Sequence, residues 1–215
     1  MRLVAARVLW GCALALALTA RVQAAETRGE AQLVPLARHE REALDRGAMI
    51  SRPLRFEHEG GSYVGGVSYQ VVDARPELVL AALSDVANWP EALPRTKSAR
   101  LVEAEQGLSR VELVQGSSLV EARYTVVLER SDDGETIRFW LDPTHPHDIR
   151  DVWGFFRVRA LPDGRSLITV GAALDLGEGL ARLFFEDKIA RMVLHAPRKI
   201  RAFVEPRALA LAATH

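Results

Sequence analysis

The hydrophobic pattern of this chain predicts an α+β domain, in which a curved antiparallel sheet of about seven strands is closed by a long C-terminal helix. Six successive strand-like runs, separated by turn-forming residues, supply most of the sheet. One strand and two short helices precede them, and a stretch of helical periodicity follows them. A length of 215 residues, 48% hydrophobic and 26% charged with no biased tract, suits one folded domain behind a leader.

The leader is read over residues 1–24 as a signal peptide. Arg2 and Arg7 give a positive start, an apolar run extends from Val8 to Ala20, and Val22-Gln23-Ala24 ends in a small residue suited to signal peptidase. That run is too short to cross a bilayer comfortably. Cleavage after Ala24 and export to the periplasm or envelope of a bacterium is the expectation, with no membrane span afterwards. An uncleaved anchor is the alternative, because Arg21 stands close to the cut. Cys12 is a poor match to a lipoprotein cysteine, since Trp10 is too bulky and most of the apolar run follows it. Cleavage at Ala24 leaves no cysteine, and so no disulfide, thiolate metal site or cysteine nucleophile. Loss of Arg2, Arg7 and Arg21 leaves 25 basic against 28 acidic residues, which argues against a nucleic-acid partner.

Residues 25–61 read as an N-terminal helical arm. Leu36, His39, Glu40, Ala43 and Leu44 have helical spacing within 35–46, and Gly47 is a fitting C-cap. Residues 49–56 can add an edge strand before the break at Glu59-Gly60-Gly61. The domain proper is expected over 62–205, with 206–215 as a tail. Its first strand is 62–73, rich in Val, Tyr and Gly. Pro76 suits a first helical turn and Glu77 its positive end, and Leu78, Leu80, Ala81 and Leu83 continue that helix. Asn88 is placed to cap a second short helix over 89–93, which Pro94 stops.

The six runs cover 97–104, 108–115, 119–130, 136–142, 148–161 and 166–176. Gln106-Gly107, Gln115-Gly116-Ser117, Asp132-Asp133-Gly134 and Pro162-Asp163-Gly164 separate them with turn chemistry that joins neighbours antiparallel. Pro143-Thr144-His145-Pro146 is stiffer and belongs at a sheet end, because its prolines cannot donate to a ladder. Alternation then assigns the faces. Val120, Ala122, Tyr124, Val126 and Leu128 share one side, as do Val152, Gly154, Phe156 and Val158, and Ile168, Val170, Ala172 and Leu174. A sheet with one dry face needs a cover. Residues 180–204 supply it, about 25 residues spanning roughly 37 Å as a helix. Phe185, Ile189, Met192, Val193, Ala196, Ile200 and Phe203 form its apolar stripe, and Pro197 is expected to bend it.

One strand, two helices, six strands and a long helix is the helix-grip order. The run Val79-Leu80-Ala81-Ala82-Leu83-Ser84-Asp85-Val86-Ala87-Asn88-Trp89-Pro90-Glu91-Ala92-Leu93-Pro94 looks like the first-helix signature of the SRPBCC superfamily. The chain therefore resembles that superfamily's polyketide cyclase/dehydrase and START-like lipid-transport group, relatives of the birch pollen allergen. The likeness covers residues 62–204, and Leu44-Asp45-Arg46-Gly47 resembles the preamble of similar exported members. It implies a helix-grip (START/Bet v 1-like) fold with a cavity between sheet and helix for lipids, steroids, polyketides or similar molecules. It specifies the fold and leaves the activity open.

Candidates to line such a cavity are Tyr124, Val126, Phe139, Arg150, Val152, Phe156 and Val170 on the sheet, with Phe185, Ile189, Met192 and Val193 on the helix. Tyr124 offers one orienting hydrogen bond. Arg150, in phase with Val152, needs a carboxylate partner or an acidic or phosphate group of a ligand. Its plainer role is a rim ion pair with Asp148, Asp151 or Glu112. Gly154, Gly171 and the inward alanines argue for empty volume, although the same stripes also serve a closed core.

Asp85 reads as a carboxylate that fixes the junction of the two short helices, since no acid–base partner is identifiable. His145, His147 and Asp148 are metal-ligand types, but the two imidazoles can splay apart on an extended loop, so a solvated turn is preferred. His195 has no matched acid. There is no nucleotide loop, Ser-His-Asp elbow or CxxC pair, and no catalytic residue, metal or cofactor is assigned.

Binding and transport of a lipid or other hydrophobic small molecule in the cell envelope is the function these readings favour. A cyclase or dehydratase acting on an apolar substrate is one alternative, with Asp85, Tyr124 and Arg150 as its candidate groups. An envelope protein-interaction module using the arm and the aromatic residues Trp140 and Trp153 is another. Ligand identity and oligomeric state are not written in the sequence.

Overall fold

Eight antiparallel strands among the described residues build one curved sheet in the order β1-β2-β8-β7-β6-β5-β4-β3. The computed structural model describes residues 33–213 except 106, 119, 178 and 179, with backbone alone over 180–186. The expected leader over 1–24 lies outside the described residues. From Leu36 onward the chain forms one unit.

The arm begins with α1 (Arg38–Asp45), whose Leu44 is buried. β1 (Ile50–His58) and β2 (Gly61–Val72) form a hairpin across Glu59 and Gly60, both with positive φ. The optional edge strand of the sequence is thus real, and it makes the eighth member of the sheet. β2 then pairs with β8 in a register that sets Val64, Ser68, Gln70 and Val72 beside Leu174, Val170, Ile168 and Ser166. Buried Gln70 uses its amide N–H on the carbonyls of Gly47 (3.2 Å) and Ala48 (3.4 Å), tying the α1–β1 connection to the sheet.

Between β2 and β3 the chain forms α2 (Pro76–Ser84), a 3₁₀ turn (Val86–Asn88) and the short α3 (Trp89–Ala92). Pro76 stands in the first turn of α2 and Glu77 follows it, as their chemistry requires. Val79 and Leu83 are fully buried beneath. The cap of the next turn is Asp85, which accepts the N–H of Ala87 (3.1 Å). Asn88 stands at the expected N-cap position of α3 but makes no side-chain cap bond: its backbone is already helical, and its side-chain amide donates to the carbonyl of Ala82 (3.4 Å).

Then come β3 (Thr96–Glu105), β4 (Leu108–Gly116), β5 (Glu121–Arg130), β6 (Thr136–Leu141), β7 (Asp151–Ala160) and β8 (Ser166–Asp175). The stiff β6–β7 connection is organised by buried Asp142, which accepts from Thr144 (N–H 2.9 Å, hydroxyl 2.6 Å) and from Arg110 Nε (2.8 Å). Burial alone would raise that carboxyl's pKa; these donors outweigh it and hold it below the usual carboxylate range.

The outer face is more aromatic than solvent contact alone would select. Phe56 stacks on Tyr63 (5.2 Å between ring centres) and tilts against Trp153 (6.2 Å). Trp140 and Trp153 pair directly across β6 and β7, and both are half-buried rather than fully exposed.

The closing rod is two helices, α4 (Leu180–Leu194) and α5 (Ala196–Ala212), broken at His195. Pro197 falls in the first turn of α5, where its missing N–H has no intrahelical partner to lose. The expected bend inside one helix is therefore a junction between two. α5 also runs past the end expected at Val204, with Pro206 inside it. Among the described residues no helix is long and apolar enough to cross a membrane.

Candidate functional site

The inner face of the sheet and the rod enclose an apolar core at one end and two adjoining chambers at the other. Ile200, Phe203 and Val204 of α5 join Val79, Leu83, Val158 and Ile168 in the core. Beneath α4 the packing loosens into an inner chamber of about 90 Å³ and an outer one of about 550 Å³. Pro94, Gln115, Tyr124, Leu174 and Met192 border both, so the two are parts of one space. The outer volume lies within the range typical of small-molecule sites, roughly 300–1,000 Å³.

Eight of the residues expected from the sequence line the inner chamber: Tyr124, Val126, Phe139, Val152, Phe156, Val170, Met192 and Val193. The first six meet there because β5, β6, β7 and β8 are neighbours and each contributes its inward alternate positions, and α4 brings Met192 and Val193. Ile189 lines the outer chamber. The Phe185 side chain lies outside the described residues.

Arg150 is not part of either lining. β7 begins one residue after it, and its guanidinium instead reaches the buried carboxylate of Asp175 (3.7 Å), beside Gly60. The phase of Val152 does not extend past the strand end. The glycine expectation is corrected as well. A Cβ at Gly154 would lie 2.3 Å from the Gly171 carbonyl oxygen and 2.6 Å from the Phe139 ring, so that glycine makes room for the β8 backbone and an aromatic side chain. Gly171 serves Phe155 in the same way on the opposite face.

Sequence reasoning missed the wall contributed by the helical crossover and β4. Trp89 is buried, donates its indole N–H to the Leu83 carbonyl (2.9 Å) and meets Phe156 edge-on at 6.2 Å. Leu93, Leu113 and Gln115 complete that side. The signal for β4 was present, because Val111, Leu113 and Gln115 alternate in phase; Gln115 reads as a turn residue only when taken with Gly116-Ser117.

Besides the Trp89 indole, the polar side chains of the described inner lining form one chain of bonds. The Tyr124 hydroxyl donates to Gln115 Oε1, and Gln115 Nε2 donates to Thr96 Oγ1 (2.9 Å). Among the described residues Tyr124 is the sole ionisable side chain in that lining, and burial pushes its phenol above the ordinary tyrosine value, so it stays neutral. The hydroxyl retains acceptor capacity, and a ligand hydroxyl or amide could donate to it.

The other candidates lie apart from this wall. Asp85 caps its turn at an exposed position. His145 Nδ1 contacts Asp142 (3.2 Å), whereas His147 Nδ1 bonds the Ile149 carbonyl (2.7 Å). Among the described residues no three His, Cys, Asp or Glu side chains gather closely enough to hold a metal ion. His195 lines the outer chamber, with Nδ1 on the Arg191 carbonyl (2.6 Å).

Residues 66–202 match the sequence profile of the family described as polyketide cyclase / dehydrase and lipid transport. The chain belongs to that family. As a member of it, the protein has a fold shared with solved structures of low sequence identity. A Thermus thermophilus protein aligns with TM-score 0.57 at 16% identity, over 68% of this chain and 97% of its own. The Zhui aromatase/cyclase from Streptomyces gives 0.56 at 15%, over 77% and 96%. A STAR-related lipid transfer protein fragment from Xanthomonas axonopodis gives 0.55 at 13%, over 72% and 98%. No curated protein matches the chain significantly. By their descriptions, the family and these neighbours include lipid-transfer and cyclase proteins.

Proposed function

We propose that this protein holds a lipid or other hydrophobic small molecule in the chambers beneath α4 and carries it in the bacterial cell envelope. The lining of the inner chamber is the observation that supports this most. Among the described residues its only polar side-chain groups are Tyr124 and Gln115, which are bonded to each other, and the Trp89 indole N–H, which is held by the Leu83 carbonyl. Affinity then arises from burial of ligand surface, at roughly 25 cal/mol per Å². Acid–base chemistry needs a titrating group within hydrogen-bond reach of the substrate. A neutral buried phenol supports a carrier better than a cyclase. The envelope part of the reading is supported by the charged, apolar and small-residue order of positions 1–24.

Native mass spectrometry of the full chain purified from membranes, together with a fluorescent fatty-acid probe, tests this reading. The expected result is a co-purifying apolar ligand and saturable probe binding. Ala172→Phe, placed in the inner chamber, should abolish the binding while the fold persists. Absence of both ligand and probe binding in the unmodified protein would refute it.

A further inference from the structure

We propose that the rim of the outer chamber is an anion site, in which Arg95 and Arg191 take the carboxylate or phosphate head of an amphiphile whose apolar body fills the chambers. This rests on the ligand-holding function above and adds the chemistry of the ligand's polar end.

Among the described residues the charged side chains in the outer lining are Arg95, Arg191, Lys188 and Glu121. Glu121 is already bonded to Lys97, which leaves the guanidinium groups of Arg95 and Arg191 to meet whatever occupies the chamber. Arg95 and Arg191 are exposed. Among the described residues the Arg95 guanidinium has no hydrogen-bond or ion-pair partner. Arg191 commits only Nε, to the Asp187 carbonyl (3.2 Å), which leaves the terminal nitrogens of its fork.

The backbone at Arg95 is the second observation. Its φ is +56°, the left-handed region that a residue bearing a side chain enters at a cost. The carbonyl of Arg95 accepts the Gly116 N–H (2.9 Å), which locks the residue between Pro94, a border of both chambers, and the β4–β5 turn. Strain of this kind persists where the surrounding structure demands a particular placement, and here that placement is on the rim.

Guanidinium forks match the planar carboxylate and the phosphate, and low-dielectric walls concentrate the field of a charged mouth. An apolar body below and an anion at the rim would therefore be bound in one orientation.

Calorimetric titration of the full chain with oleic acid, oleyl phosphate, oleyl alcohol and inorganic phosphate decides the matter. The two anionic amphiphiles should bind about tenfold or more tightly than the alcohol, and inorganic phosphate alone should not bind measurably. Arg95→Gln combined with Arg191→Gln should bring the anions down to the affinity of the alcohol. Arg123→Gln, exposed on the opposite face of the sheet, should keep the preference. Equal affinities in the unmodified protein, or a preference surviving the double substitution, would overturn the anion site and leave the ligand-holding function standing. Inorganic phosphate binding as tightly as oleyl phosphate would assign the rim to free phosphate and overturn it too. Equal affinities with vesicle binding that needs phosphatidylglycerol and both arginines would assign the cations to a membrane surface instead. Failure of every amphiphile to bind would refute both readings together.

Discussion

α4 and α5 are halves of one rod with similar apolar spacing, yet they do different work. α5 packs against α2, α3 and β2, and it buries Ala196, Pro197, Ile200, Phe203 and Val204. It is also bolted down: Lys199 Nζ donates to the carbonyls of Pro90 (3.1 Å) and Leu93 (2.9 Å), and Arg201 donates to that of Gly47 (3.1 Å). α4 packs mainly on β1, β2 and β8, and of its described side chains Ala190 and Leu194 are buried. Its Ile189, Met192 and Val193 face chamber space. The same hydrophobic stripe therefore closes a core in one half and roofs a cavity in the other. What differs is the material underneath, not the helix.

The largest test of this contrast is a pair of truncations. Ile200→Ala removes a fully buried side chain from close packing and should cost about 2–5 kcal/mol in urea unfolding. Met192→Ala borders existing empty volume and should cost about 1 kcal/mol or less, because few contacts are lost there. Equal costs would break the comparison. Hydrogen exchange gives the next test. Amides of 199–204 should be protected nearly to the global limit, those of 187–193 should exchange sooner, and a bound ligand should slow the second group selectively.

Tyr124→Phe sharpens the view of the wall below α4. It leaves Gln115 Oε1 without its donor and should lower stability by about 1–2 kcal/mol, measured by denaturation. At the far end of the rod, Glu91→Gln breaks the exposed pair with Arg207 and should change stability by less than about 0.5 kcal/mol, a difference that salt should erase.

Strand boundaries and faces were legible because each depends on neighbours in sequence. Val152, Phe156 and Val170 reach the chamber wall from alternation alone, since a strand fixes its faces by parity. Parity fails at strand ends, which is why Arg150, one residue outside β7, escapes the cavity. Trp89 and Leu93 could not be placed by pattern, because a crossover of short helices has no period that says which strand it will meet. Pro197 was legible as a disturbance, while the break at His195 that makes it harmless depends on how both helices dock.

The order of elements, the dry side of the sheet and the amphipathic rod follow from residue spacing and turn chemistry, which act over a few positions along the chain. Whether the enclosed volume is filled or empty, and which charges ring it, was decided only by folding. Packing compares side chains brought together from distant strands and helices, and a missing contact beneath α4 has no local signature in the chain that surrounds it.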